Sequence, residues 1–354
     1  MASHGPWLDI DLDALVRNAR TFGGRVGVPL LPMVKANGYG LGATAVVRAL
    51  EATEPWGFGV ASLEEAVSLR QAGVARPIIT FLPLRPDQIP DYYAYDVRPA
   101  LGSRPLLEAW LAAGAAPFHL AVDTGMGRSG LSWYETDELR AAGRLLRGAP
   151  GYEGAFTHFH SADASLASVE EQWDRFGAVL AVVGRPPLCH AAASAAGHWE
   201  RRFALDLARP GIYLYGGAAG PLVPEPVAAL RAEVLAVRRV RRGDTVSYGA
   251  VWRAPADGGV ATLGIGYADG VPRALGAGGS VGVGGREYPM AGRVTMDMVM
   301  VAGPAEAFPL GAAATVWGPG GPTLDVQAGR AGTISYELLT AVGPRVERRY
   351  GGMT

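Results

Sequence analysis

Residues 32–43 read PMVKANGYGLGA: apolar residues lead into one lysine, and the chain then breaks at glycines around a tyrosine. Lys35 is the only lysine in 354 residues, and every other member of the 32 Lys and Arg residues is arginine. Both side chains are cations, but only lysine carries a primary amine that can lose its proton and condense with an aldehyde. A guanidinium stays protonated above about pH 12 and cannot do so. A Schiff-base lysine is therefore the one role that this arginine-rich composition cannot fill with arginine.

Four more polar residues of chemical interest follow apolar runs. Arg128 lies in VDTGMGRSG, His158 in FTHFHSAD, Ser194 in HAAAS and Arg209 in ARPGI. The elements that must carry them alternate along the first two thirds of the chain. Apolar runs at 30–34, 57–61, 78–82, 97–101, 118–122, 154–159, 188–192 and 208–215 are separated by segments such as LEEAVSLRQAG (63–73) and SVEEQWDRFGAVLAVVG (168–184). In those segments apolar residues recur every three or four positions. Eight buried strands with helical connectors fit an α/β fold of the (β/α)8 barrel type, with a doubly wound sheet as the runner-up. In a barrel, Lys35 ends strand 1, and all five residues meet at the C-terminal rim, where barrel active sites are built.

The pattern changes after GPLVPEPVAAL (220–230), a proline-containing linker. AEVLAVRRV, GVATLGIGYADG and RVTMDMVMVAG are strand-like and broken by glycine-rich turns, with little helical periodicity. The expected organisation is a barrel over 11–222 and a mostly-β C-terminal domain over 223–354, with residues 1–10 packing on the latter. GAGGSVGVGG (276–285) has no helix pattern after it and reads as a hairpin turn rather than a phosphate loop. The basic run VRRVRR (237–242) reads as a solvated strand edge.

A net charge of −1 argues against a polyanion-binding surface, and no run approaches the ~18 apolar residues of a membrane span. The N-terminus is acidic where a signal peptide needs a basic start, and a single cysteine, Cys189, excludes an intrachain disulfide framework. The expected setting is cytoplasmic, with no nucleic-acid, membrane or metal partner.

VKANGYGLG, VDTGMGRSGL, THFHSAD, RPGIYLYG, VSYGAVWRA, GIGYADG, AGRVTMDMVMV and TISYE together resemble the alanine racemases, fold-type III enzymes that use pyridoxal 5'-phosphate. The resemblance covers essentially the whole chain. It implies interconversion of L- and D-alanine by two bases, supplying D-alanine for peptidoglycan. Lys35 would hold the cofactor's aldehyde and serve as one base, and Tyr248 of VSYGA would be the other. A phenol titrates near ~10, so Tyr248 would need help from His158 and Arg209, since a nearby cation favours phenolate. Arg209 would also face the pyridine nitrogen and leave it unprotonated, weakening the electron sink so that a proton is only removed and returned. The resemblance gives the phosphate to Tyr39, Ser194, the backbone around Gly211 and Ile212, and Tyr336. The substrate carboxylate would be gripped by Arg128, with the Met296 backbone N–H and Asp297 nearby, and Tyr267 and Tyr336 at the entrance. It further implies a homodimer in which Tyr248, Tyr267 and Met296 reach the partner's cofactor.

Two positions depart from the family. Ala193 stands where asparagine is common. Ala121 stands where many members carry a carbamylated lysine whose charge orients the substrate-binding arginine. Arg128 is then expected to be a buried guanidinium facing a gap, with chloride ranked first as its filler. The competing readings are a racemase of broader amino-acid specificity and a non-catalytic barrel that only binds the cofactor, which would need neither Tyr248, Met296 nor a second domain.

Overall fold

The protein is described from a computed structural model covering residues 5–351. Six parallel strands stand side by side in the order Phe58–Val60, Ile78–Thr80, Arg98–Leu101, Phe118–Asp123, Tyr152–Phe156 and Leu188–His190. Parallel bridges Met33 to Gly59, Leu30 to Ala208 and Ala193 to Arg209 close the ring through the segments near 30–33 and 208–209. The (β/α)8 reading therefore holds, with one correction. The expected first and eighth strands are single bridges rather than regular strands, because the chain leaves the sheet at once on both.

Helices wrap the ring, among them Leu63–Gln71, Arg104–Ala113, Thr136–Leu146 and Leu166–Val183. Two start where serine accepts a backbone N–H, Ser62 from Glu65 and Ser165 from Ser168, the usual N-terminal cap. The helix Leu12–Val26 is capped by Asp11 and ends at Gly27, whose φ of 71° suits a residue without Cβ.

The second region is built on the strand Ala228–Val240, which pairs with Trp7–Ile10, Ala313–Trp317 and Gly258–Leu263. Trp7–Ile10 also pairs with Glu347–Tyr350. The N-terminal strand thus lies in the sheet of the second region, while residues 1–4 lie outside the described residues. The glycine-rich stretch makes the hairpin Ser280–Val283 with Arg286–Pro289, turning at Gly284 and Gly285 with φ of 56° and 79°. Two short helices, Leu324–Arg330 and Ser335–Thr340, escape sequence periodicity because each spans at most two turns. Asn18 ties the linker down: its Nδ2 donates to Glu225 O at 2.9 Å, and its Oδ1 accepts from Glu225 N at 2.9 Å.

Candidate active site

A cavity of about 510 Å³ opens at the C-terminal ends of the barrel strands and takes in Lys35, Arg128, His158, Ser194 and Arg209 together. Tyr39, Gly211 and Tyr336 line it as well. Its size is that of a small-molecule site.

Lys35 does not end a strand. It starts a turn in which Ala36, Asn37, Gly38 and Tyr39 all adopt left-handed φ of 52°, 53°, 63° and 53°. Left-handed backbone costs about 1–2 kcal/mol for each residue with a Cβ, so the turn must be held. Glu65 does much of this, accepting from Ala36 N through Oε1 and from Ala61 N through Oε2, both at 2.7 Å. Asn37 Oδ1 accepts from Ala43 N at 2.9 Å. The Lys35 amine is half-buried, and burial followed by the charge of Arg128 pulls its pKa below the ordinary lysine value.

Tyr39 emerges from this turn and stacks on Tyr215 with ring centroids 4.3 Å apart. Ser194 is buried, and its Oγ accepts from Gly211 N at 2.8 Å and Tyr213 N at 3.3 Å. A hydroxyl has two lone pairs and one hydrogen, so the Ser194 hydrogen is left to donate. Ile212 lies just behind, fully buried, at the start of the turn Ile212–Tyr215. Its amide therefore has no partner within that turn. These donors, with the Tyr39 and Tyr336 phenols on the cavity wall, could hold an anionic group such as a phosphate.

Arg209 is buried, with both terminal nitrogens engaged. Nη1 donates to His190 Nδ1 at 2.7 Å and His190 O at 2.8 Å. Nη2 donates to Thr157 O at 2.7 Å and Ala191 O at 3.1 Å, and lies 3.4 Å from His158 Nδ1. The Nε–H is the donor left for a ligand in the cavity. Burial, with Arg128 second, brings the Arg209 pKa down to about 9, so the group stays charged at neutral pH. His158 is two residues past the end of its strand, and its pKa falls to about 3 through burial first and the charges of Arg209, Arg128 and Lys35 after it. It is a neutral imidazole, and the guanidinium beside Nδ1 leaves the proton on Nε2.

Arg128 departs from expectation. It is exposed in this chain, at the lip of the cavity, on a loop turned by Asp123, whose carboxylate accepts from Gly125 N and Gly127 N. Among the described residues no hydrogen bond or ion pair holds it. Ala121 is buried and offers no acceptor.

Tyr248, Tyr267, Met296 and Asp297 are not in the cavity. They gather on loops of the second region. Tyr267 N donates to Thr295 O and Ala268 N to Met296 O, while Ser247 Oγ donates to Arg293 O. Arg345 links Asp269 and Asp297 at 3.0 and 2.9 Å. Tyr248 is 70% exposed, Met296 52% and Tyr267 45%. Sequence reasoning missed Glu65, His119, Glu153 and His190. The histidines sit inside apolar runs, and their buried positions within strands were the available signal.

Comparisons with known proteins give the family and the fold. Residues 10–219 match the family model "Alanine racemase, N-terminal domain" and residues 227–350 match "Alanine racemase, C-terminal domain". The alanine racemase of Deinococcus deserti is 38% identical over 343 residues, spanning 95% of this chain and 96% of that one. The crystal structure of alanine racemase from D-cycloserine-producing Streptomyces lavendulae superposes with a TM-score of 0.92 at 31% identity, covering 100% of this chain and 99% of that one. The alanine racemase of Bartonella henselae with covalently bound pyridoxal phosphate gives a TM-score of 0.91 at 29% identity, covering 99% of this chain and 100% of that one.

Proposed function

The chain belongs to the alanine racemase family and is a pyridoxal-phosphate-dependent isomerase that interconverts L- and D-alanine, and on that premise we propose that Lys35 and Tyr248 are its two acid/base groups, the second supplied by a partner subunit. The observation that carries this reading is the sole lysine, with a lowered pKa, in one cavity with Ser194, the phenols of Tyr39 and Tyr336 and the buried Arg209.

Pyridoxal phosphate in this cavity would supply an aldehyde that takes up amines and a ring that draws electrons from the substrate α-carbon. Lys35 would hold it, and Tyr39, Ser194, Gly211, Ile212 and Tyr336 would hold its phosphate. Arg209 Nε–H would meet the ring nitrogen. Lys35 Nζ would remove or return the α-proton on one face, and Tyr248 Oη would do so on the other. His158 would donate its Nε2–H to that phenol and so favour phenolate, which a base requires. Arg128 would grip the substrate carboxylate through its planar fork, beside the Met296 N–H and Asp297 of the partner loops, with Tyr267 at the entrance and a chloride next to Arg128.

The exposure of Tyr248, Tyr267 and Met296, away from their own chain's cavity, supports a homodimer in which they reach the partner's site. We assign the cofactor barrel to 11–222 and the partner-reaching domain to 223–354 with residues 1–10. The setting is the cytoplasm, where the product would serve peptidoglycan; the single cysteine, buried, suits a reducing compartment.

The test uses two variants. Lys35→Ala and Tyr248→Phe should each lose racemisation, by at least the ~10²-fold of a positioned acid/base. Mixed after subunit exchange, they should regain activity from heterodimers holding one intact site of two. Near-normal racemisation by Tyr248→Phe, or no recovery after proven exchange, would refute the reading.

A further inference from the structure

Beneath the cavity, four side chains from neighbouring barrel strands continue the hydrogen bonds of Arg209 into the core. Arg209 Nη1 meets His190 Nδ1 at 2.7 Å, His190 Nε2 meets His119 Nδ1 at 2.8 Å, and His119 Nε2 meets Glu153 Oε2 at 3.2 Å. Arg98 Nε closes the series on the same Glu153 oxygen at 2.8 Å. Both imidazoles are fully buried.

The backbone is arranged to permit this. Phe118 pairs with Tyr152 but His119 pairs with Gly154, so Glu153 is an extra residue in its strand. Such bulges re-aim a side chain, and here the carboxylate is brought to His119 on the adjacent strand. Gly154 clears the space, since a Cβ there would fall on the His119 ring. The ring of His190 stacks on Phe156 at 5.1 Å.

The direction of the series is forced at both ends. A guanidinium only donates, and a carboxylate only accepts. His190 must therefore keep a lone pair on Nδ1 and its proton on Nε2. His119 must do the same and pass its Nε2–H to Glu153. We propose that Glu153 is a positioning residue that acts through His119 and His190 to hold Arg209 with its Nε–H directed at the cofactor's ring nitrogen. The proposal rests on the reading of Arg209 given above.

Removing the acceptor at 153 leaves a buried N–H on His119 without a partner, which costs as much as a lost hydrogen bond or more. His119 relieves this by moving its proton to Nδ1, where it opposes the His190 Nε2–H. His190 then presents Nδ1–H to a guanidinium that can only donate, and Arg209 turns away. A ring nitrogen deprived of the Nε–H becomes open to protonation by water, which strengthens the electron sink. The side reaction that follows passes the amino group of alanine to the cofactor's carbonyl, and pyruvate leaves.

The experiment reads tautomers by ¹⁵N NMR of histidine-labelled protein without cofactor, and pyruvate formed per racemisation turnover in the holoenzyme. In the unsubstituted protein both His119 and His190 should be neutral and protonated on Nε2; a proton on Nδ1 of either overturns the proposal. Glu153→Leu should mix these tautomers and raise the pyruvate ratio about tenfold, with KM for alanine changed less than about twofold. Glu153→Gln keeps an acceptor and should restore both readouts. Glu153→Asp keeps a charge beside Arg98 but draws the oxygen back by one methylene, and should shift both in the same sense if the leucine variant does not fold. Unchanged tautomers and an unchanged ratio in whichever of the two folds would reduce Glu153 to a structural role. The tautomers are read without cofactor and so do not depend on whether Arg209 Nε–H meets the ring nitrogen. Mixed tautomers with an unchanged pyruvate ratio would therefore overturn the proposed control of Arg209 while leaving the lysine and tyrosine assignments standing.

Discussion

The Tyr39 phenol occupies the space that a side chain at Gly211 would fill: a Cβ there would meet Tyr39 Oη well inside 3.0 Å and Cζ at 3.1 Å. Tyr39 cannot step aside, because its ring is stacked on Tyr215, whose own Oη donates to Met33 O at 2.8 Å. Glycine at 211 is thus what lets the backbone and the phenol share one place. Gly211→Ala should weaken pyridoxal phosphate binding at least tenfold, measured by titrating cofactor into the apo-protein. Overpacking of this kind costs about 1–3 kcal/mol, so Tm should fall modestly while the protein still folds. Unchanged cofactor affinity would show that Tyr39 does not face the phosphate.

Two buried imidazoles, His119 and His190, and the half-buried His158 give the protein an acid-sensitive core. His158 is held down to about 3 by burial and neighbouring cations, His190 lies well below the usual value through burial, and His119 is lowered by burial against the pull of Glu153. In the unfolded chain each titrates near ~6.5. Between the folded and unfolded values the unfolded state binds more protons, so stability is complete above ~6.5 and is lost as pH falls toward the folded values. Each group contributes up to ~1.4 kcal/mol per pH unit in that window. Tm of the apo-protein should drop between about pH 7.5 and about pH 5.5, and His158→Gln should drop less. A Tm that does not change across this range would contradict neutral burial.

Much of this arrangement was legible in the sequence. The six inner strands come from continuous apolar runs with amphipathic segments between them, and both cues survive in the structure. The first and eighth staves were misread as full strands for a physical reason. At Lys35 and Gly211 the backbone must leave the sheet early, one through a left-handed turn and one to admit Tyr39, and apolar content does not report such departures. The relay was hidden for another reason. His119 and His190 look like interruptions in FHLAV and LCHAA, and only strand register reveals that they adjoin. Glu65 resembled any first-turn acid of a helix. Tyr248 and Met296 are proposed from the motif alone, because one chain places them on its surface, away from its own cavity.

Arg128 poses the last question, because its surroundings differ from those foreseen. The guanidinium is exposed at the cavity lip in a single chain, so no burial penalty applies until a partner covers it. Its charge nonetheless reaches inward, adding to the burial that depresses Lys35, Arg209 and His158. Ala121, buried on the strand that leads to the Arg128 loop, can form no carbamate and accept no hydrogen bond. Nothing among the described residues fixes the arginine, and a dimer that covers it would enclose an unpaired cation, which costs several kcal/mol. A small anion taken from solvent would offset that cost and orient the fork for a carboxylate. Racemisation should therefore ignore bicarbonate and respond to halide, with KM for alanine about three- to tenfold higher in chloride-free acetate than in chloride, by the ~1 kcal/mol of one solvent-exposed hydrogen bond. The effect should be on KM more than kcat, because the grip on substrate changes and the proton-moving groups do not. Measuring both constants in acetate and in chloride, each with and without bicarbonate, decides the matter. Activation by bicarbonate would overturn this account of Ala121, and indifference to both ions would assign the role to a carboxylate or water brought by the partner subunit.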